Sequence, residues 1–387
     1  MSAKAADVRI GIVGIGNMGS SHAKLMLDNK IPGATLAAIC DTNPKRFEAF
    51  PGIPHWTDSN TMLREAKIDA VVIATPHYDH TTIGIAALTA GFHVLVEKPI
   101  SVHKADAQRL IDTKRTKKQV FSAMFNQRTD PRYRWLKQHI ESGDFGRINR
   151  VNWIITDWFR SQSYYDHGAW RATWEGEGGG VLLNQCPHQL DLMQWLFGMP
   201  VAVRAFCQRG RFHEIEVEDD VTAYLEYANG ANGVFITTTG EAPGTNRLEV
   251  AAENGRIIVE GNTISIIRNM VPTSAFCKTS DKPFAGPENI TETVTFKNHG
   301  EQHTGIFKNF VAAIKGEAEL IAPAVEGINS VELANAMILS GQQQKTITLP
   351  LDAAAYEKNL KSLIRNSKVK KAKTVKAGVV ADMSQSF

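Results

Sequence analysis

The apolar run Val8-Arg9-Ile10-Gly11-Ile12-Val13 breaks into Gly14-Ile15-Gly16-Asn17-Met18-Gly19, and a helical stretch follows from about Ser20 to Asn29. This order constrains the fold more than any other feature. A strand that turns on glycines into a helix is the opening of a βαβ unit, whose next strand returns parallel to the first. The glycines allow a tight turn, close approach of backbone to a ligand, and close packing of helix on strand.

The alternation continues downstream. Thr35 to Cys40, Ile68 to Ala74, Phe92 to Val96 and Gln119 to Met124 read as strands, with helices near Asp79 to Ala90 and Lys104 to Lys117. Strands spaced by helices imply a parallel sheet covered on both faces. After about residue 145 the pattern changes. Ile148 to Phe159, Val201 to Arg209, Val221 to Tyr227, Val234 to Thr239, Leu248 to Ala252, Arg256 to Glu260 and Thr291 to Phe296 read as strands with few helices between them. Asn229-Gly230 and Asn254-Gly255 lie between such runs and signal hairpins. This half reads as antiparallel sheet, with one face open to a partner subunit. Ile306, Phe310, Val311 and Ile314 form a helical stripe. A helix from Ala324 to Gln342, a strand-like Thr346 to Leu349 and a helix from Ala353 to Arg365 close the chain. The expected division is a nucleotide-binding domain over 1–126, a substrate and oligomerisation α/β domain over 127–350, and a helix with a basic tail over 351–387.

With 387 residues, each of two domains can bury its own core. From Lys345 onward there are nine Lys/Arg and three Asp/Glu, so the net charge of +3 divides into +6 there and −3 elsewhere. The mildly acidic body offers no nucleic-acid surface. Lys368, Lys370, Lys371, Lys373 and Lys376 read as a solvated terminus rather than a binding arm. The four cysteines, Cys40, Cys186, Cys207 and Cys277, are widely spaced and form no C-x-x-C pair. With no signal peptide and no bilayer-length apolar run, the expectation is a cytoplasmic protein without membrane partners.

Between a strand and a helix, G-x-G-x-x-G reads as a dinucleotide site. Gly14, Gly16, Asn17, Met18 and Gly19 form the expected cradle, and the helix amino terminus offers N–H groups to the pyrophosphate. Asp41 ends the second strand, 22 residues after Gly19. Its carboxylate can accept from adenosine ribose hydroxyls and would repel a 2′-phosphate, which favours NAD. Arg46, beside Lys45, keeps NADP open as an alternative. Thr75 and Pro76 end the third main strand, where the turn would face the nicotinamide, and His80 follows as a candidate to touch the site.

Glu97-Lys98-Pro99 closes the run Phe92 to Val96. These residues have little packing value, yet they sit at a strand's carboxyl end, where open α/β sheets bind ligands. An ammonium at Lys98 can stabilise charge developing on a bound carbonyl or alkoxide. Pro99 stiffens the backbone that aims it. The second candidate segment runs from Gly178-Gly179-Gly180 through Asn184 and His188 to Asp191. With a helix beginning near Asn184 to Cys186, these three polar side chains share one face. His188 can shuttle a proton near neutral pH, and Asp191 can orient its ring. His299 and His303 have H-x-x-x-H spacing but lack further ligands nearby, so they read as exposed residues and no metal site is expected.

Together, Gly14 to Gly19, Ala74-Thr75-Pro76 through His80, Ala90 to Pro99 and Gly178 to Asp191 resemble the Gfo/Idh/MocA oxidoreductase family over about Val8 to Leu363. The resemblance implies a Rossmann domain followed by an α/β domain on a large, open, mostly antiparallel sheet. It implies Lys98 near the nicotinamide, with a cis Lys98-Pro99 peptide, and His188 as catalytic histidine. Asn184 falls where many members have aspartate, a departure that leaves His188 as the acid/base. Asn126-Gln127-Arg128 resembles a segment that commonly reaches substrate, so Asn126 and Arg128 join the substrate candidates. Trp153, Tyr164, Trp170, Arg171 and Trp174 precede the triple glycine. Arg171 reads as a sugar contact, and Trp170 as an aromatic wall or junction packing.

These expectations describe an NAD(P)-dependent dehydrogenase acting on a secondary hydroxyl of a sugar, anhydrosugar or cyclitol. It would work as a homodimer or homotetramer through the open sheet. Two alternatives share the fold: a redox-neutral glycosidase with tightly held NAD, and a non-catalytic sensor of dinucleotide or sugar.

Overall fold

The computed structural model describes residues 6–113, 116–168 and 170–369. Lys370 and the lysines after it lie outside the described residues. The first sheet comprises β1 (Val8–Val13), β2 (Ala34–Cys40), β3 (His55–Trp56), β4 (Ala70–Ile73), β5 (His93–Val96) and β6 (Phe121–Ala123). Its order is β3-β2-β1-β4-β5-β6, with every pair parallel. This is a doubly wound Rossmann sheet, and the chain reverses its direction of travel between β1 and β4. β4 is Ala-Val-Val-Ile, buried throughout, as a central parallel strand with both faces covered must be.

The second sheet contains β7 (Ile148–Ile155), β8 (Ala202–Arg209), β9 (Glu218–Glu226), β10 (Asn232–Thr238), β11 (Asn246–Ala252), β12 (Gly255–Glu260), β13 (Thr263–Asn269), β14 (Asn289–Thr295) and β15 (Ile347–Thr348). Its order is β14-β13-β12-β11-β7-β10-β9-β8-β15, and the pairs are antiparallel except β10 with β7. One face packs on a core that includes Trp153, Phe235, Leu190 and Met337. β7 ends at Ile155 rather than Phe159, because the chain then leaves the sheet for a loop tied by Arg160 N–H to Thr239 O. The second hairpin turns on Glu253-Asn254, and Gly255 already pairs in β12. At Gly255, φ is +138° and a Cβ would lie 2.0 Å from Ile267 O, so only glycine fits.

Elements outside the sequence expectation include β3, β13 and the helices Ser59–Glu65 and Pro131–Glu141. Asp130 caps the latter by accepting from Arg132 N–H, and Pro131 occupies its first turn. Asp-Pro before a helix was therefore a readable signal. The helix Lys104–Ile111 is shorter than expected. The late helix is Gly327–Gln343, preceded by a short 3-10 turn at Ala324–Glu326.

The halves interlock. Ile306, Phe307, Phe310 and Val311, on the helix Gln302–Ile314, belong to the core of the first sheet although they follow the second sheet in sequence. Ala123 N–H donates to Ala322 O at 2.9 Å. The core of the first sheet therefore draws on residues from both sides of residue 126.

Candidate active site

The first turn is set by backbone sterics. At Gly14, φ is +91° and a Cβ would lie 2.6 Å from Ala74 O; at Gly19 it would lie 1.8 Å from Gly14 O. Both positions require glycine for the turn itself. A Cβ at Gly16 would meet only Arg46 Nη1, at 3.7 Å, so that side of the turn is open for a ligand to approach. The helix Asn17–Leu27 has no side-chain cap, which leaves the N–H groups of Asn17 and Met18 directed outward, as a pyrophosphate requires. Asp41 holds the turn from the next strand. It accepts from Ile15 N–H at 2.8 Å, Asn43 N–H at 2.8 Å and Arg46 Nη1 at 2.7 Å. Arg46 thus pairs with the acid that was expected to read the ribose. Across the switch point, the buried Thr75 Oγ1 has no partner among the described residues. Pro76 leads into the helix His77–Thr89. The open glycine, uncapped helix and orphaned hydroxyl fit a dinucleotide laid across this crevice.

Glu97 and Lys98 follow β5. Glu97 is buried and its Oε1 lies 2.7 Å from His22 Nε2. Burial would raise this carboxyl, but His22, His303 and Lys98 together bring it down to about 2. His22 and His303 pack ring to ring with centroids 5.5 Å apart. His303 was expected to be exposed. It lies instead within the helix Gln302–Ile314, against the cofactor-side helix. Burial and His22 push its pKa down to about 4, although Glu97 pulls the other way. The Lys98-Pro99 peptide is cis. His80 is clamped between two carbonyls, with Nδ1 2.8 Å from Pro99 O and Nε2 2.9 Å from Thr75 O. Burial lowers its pKa and the two carbonyls oppose that shift.

Lys98 Nζ crosses to the second half and donates to Asn184 O at 2.9 Å. Burial lowers its pKa, Glu97 and Glu177 raise it, and Arg171 and Arg160 lower it. This contact joins the strand end of the nucleotide domain to the glycine turn of the second. At Gly178, φ is +77° and a Cβ would lie 2.0 Å from Val102 Cγ1. Asn184 precedes the helix Pro187–Phe197 rather than lying within it. Its Nδ2–H donates to Glu177 Oε1, and its Oδ1 accepts from Tyr164 O–H at 3.1 Å. Arg171 Nη1 donates to that hydroxyl at 2.6 Å and its guanidinium covers the rings of Tyr164 and Trp170. Trp170 meets His77 edge-on at 5.7 Å.

His188 sits in the first turn of the helix, 5% exposed. Its Nδ1 is buried without a partner among the described residues. Burial, then Lys98 and His303, hold its pKa well below the ordinary imidazole value, so the ring is neutral. Asp191 does not orient it. Asp191 forms a two-pronged pair with Arg128 at 2.7 and 2.6 Å, and Arg128 Nη1 also donates to Glu326 at 2.6 Å. Arg128 is 1% exposed. A guanidinium so enclosed is a junction tie, which removes Arg128 from the substrate candidates. Asn126 donates to Gln302 at 2.8 Å, and its Oδ1 has no partner among the described residues. Trp153 and Trp174 are core residues. Among the described residues no group of three or more His, Cys, Asp or Glu gathers as a metal site.

Sequence reasoning missed His22, Glu177 and His303. His22 lies five residues into a helix and Glu177 just ahead of the triple glycine; neither position carries a motif of its own. His22 meets Glu97, 75 residues away, whereas Glu177 meets Ala172 and Asn184, five and seven residues away, across a turn that no local pattern announces.

Comparison with known proteins agrees with this geometry. Residues 8–125 match the Gfo/Idh/MocA oxidoreductase family, NAD-binding Rossmann fold, and residues 133–258 match the family's carboxyl-terminal domain. Inositol 2-dehydrogenase of Leifsonia xyli is 30% identical over 200 residues, 51% of this chain and 55% of that protein. Inositol 2-dehydrogenase of Rhizobium meliloti is 25% identical over 350 residues, 88% of this chain and 99% of that protein. The WlbA dehydrogenase of Bordetella pertussis, solved with NADH and UDP-GlcNAcA, superposes with a TM-score of 0.75 at 29% identity, covering 89% of this chain and 100% of that one. Both halves carry matched domains of one family, and this chain belongs to the Gfo/Idh/MocA family of NAD-binding oxidoreductases.

Proposed function

We propose that the protein is an NAD-dependent dehydrogenase that oxidises a secondary hydroxyl of a sugar, anhydrosugar or cyclitol. The single observation that carries this reading is the Lys98 Nζ bond to Asn184 O at 2.9 Å. It brings the ammonium at the nucleotide crevice onto the turn that leads to His188. NAD, when bound, supplies the hydride acceptor. Gly14, Gly16, Asn17, Met18 and Gly19 hold its phosphates, Thr75, Pro76 and His80 border the nicotinamide end, and Asp41 with Arg46 borders the adenosine ribose. Glu97, held by His22, fixes the strand end from which Lys98 projects.

Lys98 Nζ hydrogen-bonds the substrate oxygen and stabilises negative charge as the proton leaves. The neutral His188 ring takes that proton. Burial and Lys98 both disfavour the imidazolium, so His188 readily passes the proton onward. Asn184, Arg171 and Asn126 supply donors and acceptors for neighbouring hydroxyls, and Trp170 offers a ring face to the sugar's C–H groups. The inositol 2-dehydrogenases and WlbA support a polyhydroxylated ring as substrate.

The open sheet face bears Phe206 and Tyr224, 62% and 42% exposed, on adjacent strands. A second copy covering this face would give the expected homodimer or homotetramer. The four free thiols suit a cytoplasmic setting. The test is nicotinamide absorbance with purified protein and NAD across inositols, hexoses, anhydrosugars and a UDP-linked uronate. Substrate-dependent NADH formation supports the reading. Cleavage of a glycoside with no net NADH would replace it with redox-neutral chemistry.

A further inference from the structure

We propose that Glu177 is the anionic positioning residue of this site, acting through Asn184, so that a carboxylate–amide pair does the work of a single acidic side chain. The kinetic part of this inference rests on the dehydrogenase reading. Glu177 is 2% exposed. Its Oε2 accepts from Ala172 N–H at 2.5 Å and its Oε1 accepts from Asn184 Nδ2–H. Arg171 Nη1 lies 3.9 Å from the same Oε1. Each of its two oxygens accepts an N–H bond, the part an acceptor carboxylate plays.

That carboxylate fixes which way the Asn184 amide points. With Nδ2 committed to Glu177, Oδ1 must face Tyr164 O–H at 3.1 Å and Gln185 Nε2–H at 3.0 Å. The same residue's carbonyl anchors Lys98. Glu177 thus orders the side chain at 184, and through it the tyrosine that carries Arg171. An aspartate at 184 would press a second carboxylate against Glu177 Oε1, and two such groups cannot both ionise. The amide at 184 and the acid at 177 therefore belong together.

The charged and titratable groups facing Lys98 are Glu97 and Glu177 on one side of the balance, with Arg171, Arg160, His77, His188 and His303 on the other. Glu97 is already paired with His22. Without the Glu177 charge the Lys98 ammonium is held less firmly.

The test compares wild type, Asn184→Asp, Glu177→Gln and the exchanged pair Asn184→Asp/Glu177→Gln by melting temperature, NADH affinity and the pH profile of kcat. Asn184→Asp should lower Tm and cut kcat by about tenfold or more. The exchanged pair should recover most of both. Glu177→Gln, nearly isosteric, should move the alkaline limb of kcat to lower pH while leaving NADH affinity unchanged. Recovery in the exchanged pair together with the moved limb supports the proposal. An Asn184→Asp variant equal to wild type, an exchanged pair no better than Asn184→Asp, or an unmoved limb overturns it. If the wild type forms no NADH with any substrate, the dehydrogenase reading fails separately. The Tm cycle alone then decides whether positions 177 and 184 act as a pair.

Discussion

The molecule has two glycine turns, and they work differently. At Gly14 to Gly19 the glycines let backbone approach backbone, and the functional groups are the N–H groups of the helix that follows. At Gly178 to Gly180 the glycines also prevent collisions: a Cβ at Gly180 would lie 1.9 Å from Glu218 O. Here, however, the functional groups are side chains, and they are held by near neighbours such as Glu177 as well as by residues far away in sequence. Glu218 Oε1 accepts from Gly180 N–H at 2.8 Å and Leu182 N–H at 3.2 Å, while Lys98 arrives from the other sheet. A site built of backbone can be written in six consecutive residues. A site built of side chains needs the whole fold.

The most severe break is at the residue that links the turns. Lys98→Ala should lower kcat about a thousandfold, the loss expected for a donor to developing charge. NADH titration should show binding retained, since the first turn is intact. Next is His188→Ala, expected to lower kcat/KM about a hundredfold by removing the proton acceptor. An unchanged value would move the base elsewhere.

A paired substitution sharpens the contrast. Gly19→Ala forces a Cβ onto Gly14 O and should weaken NADH binding about tenfold or more. Gly180→Ala should lower kcat by a similar factor with NADH affinity kept. Fluorescence titration and steady-state rates separate the two, and equal effects on both readouts would erase the distinction between the turns.

The smallest effect concerns the support beneath the second turn. Burial raises the Glu218 carboxyl from 4.5 to about 7, against the hydrogen bonds from Gly180 and Leu182. In the unfolded chain this acid ionises at the lower pH. Stability from this group is therefore greatest at acid pH, falls as pH rises from 4.5 to about 7, and is level above that. Glu218→Gln should flatten that fall and raise stability at pH 8 by about 2 kcal/mol, read from melting temperature against pH.

The same contrast explains what was legible in the sequence. The Rossmann strands and the turn between the first strand and helix were readable because local order sets them: strand, glycine, helix; Lys98 was proposed from a charged tripeptide at a strand's end. His188 was proposed from its place at a helix start and from a family motif. Arg128 misled because its sequence neighbourhood resembles a substrate segment, whereas its partners, Asp191 and Glu326, lie 63 and 198 residues away. His303 misled because no further ligand lay near it in sequence, and only the packing of its helix on the first core half-buries it beside His22. Glu177 was silent for a different reason: it lacks a motif, and its meaning lies in the amide it meets seven residues on.

The most direct test of the central claim follows the hydrogen itself. A substrate found in the NAD screen, deuterated at its carbinol carbon, would be turned over and the reduced nicotinamide examined by mass spectrometry. Meeting of the two turns at Lys98 to carry out hydride transfer requires the deuterium to appear in NADH. Deuterium retained in the sugar product or lost to water, with no labelled NADH accumulating, would contradict it.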